Sequence, residues 1–570
     1  MVSIDKLNRL TDGQQKYLHE SVGKFLEENL QEVKDLCLVE EAVLADYLTK
    51  TAALREELRI VKADPALNNT LYSFISAAGK DSELIRQFTL HYQQMKHLDG
   101  CMKLILPFKG QNVSVAEFAQ IKDAATTVSL DDDVVFIDYT CPVTRQSWSL
   151  IQNLRELHLT LDGMQYVVAS GDFYIESSKD DLNNGILTGR IRINRLTGLG
   201  YAKTDKAYFR CLLPIGSVDW NRDIRTYAVF INNGWAMGLI ELKDNENLLH
   251  VYPYHVDDKK YMVVESLTET TSQQMAEYVY SVALTIGFIT GTIHLGKCYE
   301  FSSSESEFGK DVIMSYHTMR PSSETGMRIF TTNMYYVRET LKSAKVQLKD
   351  KTPLYNSEGM FQEHLQDWLQ PDMMQRLFSL IHGDAKAARA VVTIIESANF
   401  PLEYQASVRA IVLETLAHSI PGPKPIPDDA LWESIKTEMD EVISRYKNNE
   451  AGEQQISDES LIVLGKKINS MNHPTNADSL AKPLEEAGYP LNDNDREALK
   501  MRNTFLHGGL VRGSVEKQSN ELFYLSLMLH KLACIIILKR AGFEGYILNN
   551  PVLFNCEKVV VAGEKVLIKI

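Results

Sequence analysis

The hydrophobic pattern of the chain changes its period twice, and a sequence that does so folds as separate helical and strand-rich parts. In the first hundred residues apolar side chains recur at helical spacing: Val22, Phe25 and Leu26, then Leu30 and Val33, make an i, i+3, i+4 stripe. From about Val134 to Leu267 the texture becomes short runs rich in Val, Ile, Tyr and Phe, among them VVFIDYTC, ELHLTLDG, MQYVVASGDFYI, GILTGRIRINR and KYMVVESL. Clusters of Asp, Gly and Asn separate these runs, as in antiparallel sheets. Beyond Thr331 the helical period returns.

At 570 residues the chain exceeds one ordinary core. The expected fold class is therefore multidomain α+β: an N-terminal helical segment over 1–125, a β-rich antiparallel middle domain over 126–330, a C-terminal all-α bundle over 356–550 and a small terminal β-hairpin over 551–570. Local punctuation refines this. Asn233-Gly234 supplies the turn of a hairpin between TYAVFI and WAMGLIEL. A long apolar helix after Thr270 covers one face of the sheet, with CYEF and VIMSYHTM as further strands. The later helical run breaks at Asp384 and at Pro401, and a Pro-rich connector precedes a helix capped by Asp428 or Asp429. Asn492 or Asp493 caps a helix through Arg496, Leu499, Arg502 and Leu506 that stops at Gly508-Gly509, and the terminal hairpin turns at Ala562-Gly563.

Composition narrows the function classes. A formal charge of -15 excludes a protein coated in positive potential for non-specific nucleic-acid binding. It leaves room for a local basic groove: from Arg496 to Ala541 eight Lys/Arg face three Asp/Glu, a balance of 8 - 3 = +5. The seven dispersed cysteines, with no CxxC pair, read as reduced thiols of a cytoplasmic protein, and MVSIDKLNRL lacks a signal-peptide core. The apolar stretches 279–295 and 522–538 are shorter than a membrane span and read as buried helices, with no membrane partner; Gly287 and Gly291 mark close packing in the first. No phosphate loop, HExxH or HxxxH pattern is present, Asp131-Asp132-Asp133 reads as a solvated turn, and neither a metal site nor a cofactor is expected.

One segment carries chemistry. Arg502, Asn503 and His507 lie within six residues, beside the Gly-Gly stop. Histidine shuttles a proton near neutral pH, and the planar donor fork of arginine matches phosphate oxygens. RNA holds a 2′-hydroxyl next to its scissile phosphate, so a base for that proton and a cation for the extra oxyanion charge suffice for internal transesterification. On a helix each residue advances about 100°, so Asn503 and His507 share a face while Arg502 and His507 stand about 140° apart. One copy of the segment therefore does not place Arg502 and His507 side by side.

The RNxxxH string of residues 502–507, its Gly508-Gly509 end, and the long apolar helix ending LKRAGFEGYI resemble the C-terminal part of the HEPN superfamily, specifically its ApeA-like branch. Glu414, in VRAIVLETLAHSI, resembles the polar residue that accompanies this motif on an earlier helix. The resemblance covers roughly residues 356–550, and the order of a β-rich region followed by a late helical domain is also similar to ApeA-type anti-phage proteins. It implies a homodimer whose two motifs share one cleft, metal-independent endoribonuclease activity leaving a 2′,3′-cyclic phosphate, and a role in abortive infection against tRNA or other single-stranded RNA. His507 is then the general acid or base, Arg502 the phosphate clamp, Asn503 a positioning group and Glu414 an orienting partner. Arg512, Lys517, Lys539 and Arg540 are candidate RNA-backbone contacts, and a phage-derived protein or nucleic acid is the expected trigger. Two alternatives stay open: a non-catalytic HEPN protein that binds nucleotide or RNA or serves as a dimerising scaffold, and the toxin of a toxin–antitoxin pair.

Overall fold

The computed structural model describes His91, Met95, most of residues 97–319, residues 331–333 and most of residues 371–570. The helical stripe expected near the N-terminus lies outside these residues. Two compact units meet in sequence between Gly383 and Asp384.

The first unit is β-rich and antiparallel, as the alternating pattern predicts. One sheet holds β1 (Gln111–Asn112), β3 (Ala125–Asp131), β4 (Val134–Pro142), β7 (Phe173–Asp181) and β8 (Ile186–Ile193), in the order β1-β3-β4-β8-β7. A second holds β2 (Ser114–Val115), β5 (Leu157–Leu161), β6 (Met164–Val168), β9 (Arg195–Gly198) and β10 (Tyr208–Pro214). It is completed by β13 (Ile240–Asp244), β14 (Asn247–Val256), β15 (Lys259–Ser266), β16 (Lys297–Ser303) and β17 (Ile313–Thr318), in the order β13-β14-β15-β10-β16-β17-β9-β6-β5-β2. Strands β11 (Ala228–Ile231) and β12 (Gly234–Met237) form a separate hairpin in which Ile231 pairs with Gly234, one residue earlier than the expected Asn233-Gly234 turn.

Apolar side chains of both large sheets, such as Ile137, Ile191, Leu159, Tyr166, Leu212, Val263 and Phe301, make one core together with α1 (Leu98–Ile105). A short helix, α2 (Arg145–Gln152), is capped by Thr144. The long apolar helix is α3 (Ser272–Thr290). Thr271 and Gln274 close a reciprocal capping box at its start, and Gly291 ends it at φ 76°, the left-handed conformation glycine adopts without strain. A Cβ on Gly287 would stand 3.0 Å from Ile293 Cγ1 and 3.1 Å from the Thr292 carbonyl oxygen, which is the close packing its sequence position suggested. After it, α4 (Pro371–Gly383) packs on α3 and ends the first unit.

The second unit is helical with a small terminal β element. Asp384 caps α5 (Ala385–Ser397) by accepting from the backbone N–H groups of Lys386 and Ala387, and α6 (Leu402–Ala417) begins one residue after Pro401. Asp428 caps α7 (Asp429–Lys447) in the same way, and Ser457 caps α8 (Asp458–Met471). Then follow α9 (Asn476–Glu486), α10 (Asp493–Leu506), α11 (Val515–Arg540) and α12 (Asn550–Leu553). Strands β18 (Tyr546–Leu548) and β19 (Leu567–Lys569) pair antiparallel, and Gly563 sits at φ 73° in a turn before β19. Among the described residues one helical stretch, Lys517–Arg540, is long and apolar enough to cross a membrane. Its apolar side chains, from Leu525 to Leu538, are instead buried within the unit.

Candidate functional site

Helix α10 carries the motif, and its sequence explains where it starts. Asn492 Oδ1 accepts from the Asp495 backbone N–H at 2.8 Å, and Asp495 Oδ2 accepts from the Asn492 N–H at 3.4 Å. This reciprocal cap leaves Asp493 and Asp495 in the first turn, favourable at the positive end of the helix dipole. Ala498 and Leu499 bury one face.

A buried charge cluster holds α10 against α11. Lys531 Nζ, fully buried in the middle of α11, lies 2.6 Å from Asp495 Oδ1 and 3.8 Å from Glu564 Oε2. The Tyr489 hydroxyl donates to Asp495 Oδ2 at 3.0 Å, and burial with that carboxylate beside it pushes the phenol well up. Asp495 lies at the start of α10 and meets the second half of α11 across a connection of eight residues, so the two helices are antiparallel. Helix α6 packs on both. Its Arg409, buried, donates to Ser397 Oγ at 3.1 Å and to the Ser526 carbonyl at 3.0 Å, joining α5, α6 and α11. Burial pushes that guanidinium down to about 10.

Arg502 and Asn503 occupy the last turn of α10. His507 and Arg512 lie outside the described residues. Glu414 stands half-buried on α6, the helix that packs against α10 and α11. Lys517 is exposed in the first turn of α11, at the end nearest Arg502 in the helical hairpin. Lys539 and Arg540 lie at the other end, roughly 33 Å away at 1.5 Å per helical residue. The six residues described are thus divided: Arg502, Asn503 and Lys517 share one end of the α10–α11 pair, Lys539 and Arg540 lie at the other, and Glu414 stands on α6.

The local positive balance is also smaller than the sequence suggests. Of the eight basic residues between 496 and 541, Arg496 pairs with Glu485, Lys531 with Asp495, and Arg540 with Asp384 at 2.6 Å. Each partner comes from another helix or a cap, beyond the window in which charge was counted.

The β-rich unit contains a polar row that the sequence did not announce. Strand register places Glu241 of β13 opposite His250 of β14, His250 opposite Glu265 of β15, and Glu265 opposite Arg210 of β10. His250, Glu265 and Arg210 are fully buried and Glu241 nearly so. Arg210 Nε donates to Glu265 Oε2 at 2.8 Å, and the Tyr252 hydroxyl donates to the same oxygen at 3.0 Å. The guanidinium lies 4.2 Å from the Phe308 ring centre. His91 covers the row with its ring 4.2 Å from that of Tyr252. Burial, then the charges of His250 and Arg210, push its imidazole down to about 3, so it is neutral at physiological pH.

On the opposite face Glu300 is also buried, with the Ser272 hydroxyl donating to it at 3.3 Å and His317 Nδ1 standing 3.8 Å away. Burial raises its carboxyl to about 7, although Tyr201, Ser272 and Arg195 pull the other way. The five described cysteines are buried free thiols.

No family model, no curated protein and no solved structure matches the chain.

Proposed function

We propose that the helical unit is a metal-independent endoribonuclease of the HEPN type. The observation that carries the reading is the RNxxxH spacing at the end of α10, with Arg502 and Asn503 in the last turn of a helix that is capped, ion-paired to α11 and packed against the Glu414-bearing α6. His507 accepts the proton of the RNA 2′-hydroxyl, the 2′-oxygen attacks the adjacent phosphorus, and the bond to the 5′-oxygen breaks. That oxygen takes up a proton, leaving a 2′,3′-cyclic phosphate and a 5′-hydroxyl end. Arg502 binds the non-bridging oxygens as their charge grows, and Asn503 positions the group by hydrogen bonding. On an ideal helix about 140° would separate Arg502 from a residue five positions on, so the complete site is built from two chains of a homodimer.

The wider role follows from the resemblance: abortive infection in the bacterial cytoplasm, with tRNA or other single-stranded RNA as target. The β-rich unit then senses a phage-derived protein or nucleic acid. The direct experiment incubates the purified full chain with tRNA and single-stranded RNA in EDTA, alone and with phage lysate. Cleavage leaving cyclic phosphate ends and lost in His507→Ala supports the reading. Cleavage that needs an added metal, or that survives His507→Ala, overturns it.

A further inference from the structure

The row across the ten-stranded sheet contains groups whose hydrogen-bonding capacity is unmet. Both ring nitrogens of His250 and Oε1 of Glu265 are buried and make no hydrogen bond among the described residues. Leaving such atoms unsatisfied costs about 1–3 kcal/mol each. Glu265 cannot turn to relieve this, because its other oxygen is fixed by Arg210 at 2.8 Å and Tyr252 at 3.0 Å. Glu265 pairs with Arg210 at 2.8 Å and Glu241 with Lys243 at 3.3 Å, so what the row leaves open is the two ring nitrogens of His250 and Oε1 of Glu265.

A cation gives these unmet nitrogen and oxygen atoms a partner. One donor atom from each of His91, His250 and Glu265 lies within 4.8 Å of the other two. An ion about 2.0–2.2 Å from each donor requires them some 3.3–3.7 Å apart, so the side chains close in by about 1 Å. Two imidazoles and a carboxylate suit first-row transition metals more than calcium or magnesium. Glu241 Oε2, 3.4 Å from His250 Nε2, stands where metal-bound imidazoles keep an outer carboxylate that orients the ring.

We propose that His91, His250 and Glu265 bind a divalent first-row transition-metal ion of the zinc class, which fastens the segment bearing His91 to the ten-stranded sheet. The ion is structural and separate from the ribonuclease chemistry. Arg210 and Tyr252 hold Glu265 for it, and Glu241 holds His250.

The test uses the full chain, purified without chelator and dialysed, with metal content read by mass spectrometry and cobalt(II) as the spectroscopic probe. The expected result is about one equivalent of metal per chain and visible cobalt absorption bands of histidine ligation. His250→Gln and Glu265→Gln lose both signals, Glu241→Gln lowers affinity about 10- to 100-fold, and the remote His158→Gln changes neither. If the ligand variants do not fold, X-ray absorption of the cobalt-loaded native chain reads the histidine shell directly. Less than about one-tenth of an equivalent after cobalt loading, or full metal retention in folded His250→Gln and Glu265→Gln, overturns the proposal. Every readout is metal binding, so its failure leaves the ribonuclease reading untouched, and loss of RNA cleavage in His507→Ala says nothing about the metal.

Discussion

Lys531 and Asp495 form a fully buried ion pair at 2.6 Å that locks the motif-bearing helix α10 against α11. Removing one partner leaves the other charged in the core, so Lys531→Ala is expected to cost about 3–5 kcal/mol in thermal or denaturant unfolding. Adding Asp495→Asn to Lys531→Met should recover a substantial part of that loss, since both charges then leave together. Equal losses in the single and double variants would show that the pair is not the clamp.

The proposed composite cleft makes a complementation prediction. Arg502→Ala and His507→Ala chains are each inactive alone. Mixed in equal amounts, they form heterodimers in which one of the two sites keeps an intact Arg502 and an intact His507 from different chains. About a quarter of native cleavage should return, because half the dimers are mixed and each has one good site. A site formed within one chain returns none.

Two basic residues on α11 should behave differently. Lys517 is exposed at the motif end, so if the proposed ribonuclease binds RNA there, Lys517→Ala weakens that binding and lowers the slope of log affinity against log salt by about 1. Arg540 is held by Asp384, the cap of α5, so Arg540→Ala costs about 0.5–1 kcal/mol in stability and leaves that slope unchanged. A changed salt slope in Arg540→Ala would place it at the RNA after all.

Glu300 gives a pH signature. Its native carboxyl titrates at about 7 against an ordinary 4.5, so the fold holds a proton that the unfolded chain releases. The stabilisation is complete below about 4.5 and is lost as pH rises through about 7. His317, 3.8 Å away and pushed down to about 4 by burial and Arg195, acts in the opposite sense, its contribution lost as pH falls through about 4. The Tyr201 hydroxyl and the Cys211 thiol, both raised by burial, also face Glu300. Melting temperatures from pH 5 to pH 8 should therefore decline less in Glu300→Gln than in the native chain. An unchanged decline would assign it to other groups.

What could be read from residues alone was local. Asp428 and Asn492 cap the helices that their positions suggested, Asp384 stands at the break expected there, and the alternating runs became antiparallel strands. The Asn233-Gly234 turn slipped by one residue because pairing Ile231 with Gly234 sets the register, and register depends on both strands at once. Counting charges between 496 and 541 overstated the basic surface, since Glu485, Asp495 and Asp384 lie outside the window.

The sequence by itself determined the α+β order, the helix ends and the Arg502-Asn503 motif on α10, because capping, periodicity and spacing act within a few residues. Tertiary structure alone decided that Glu241, His250, Glu265 and Arg210 stand in one row beneath His91. Cross-strand register and burial assemble that row from five places in the chain, and no short-range pattern encodes them.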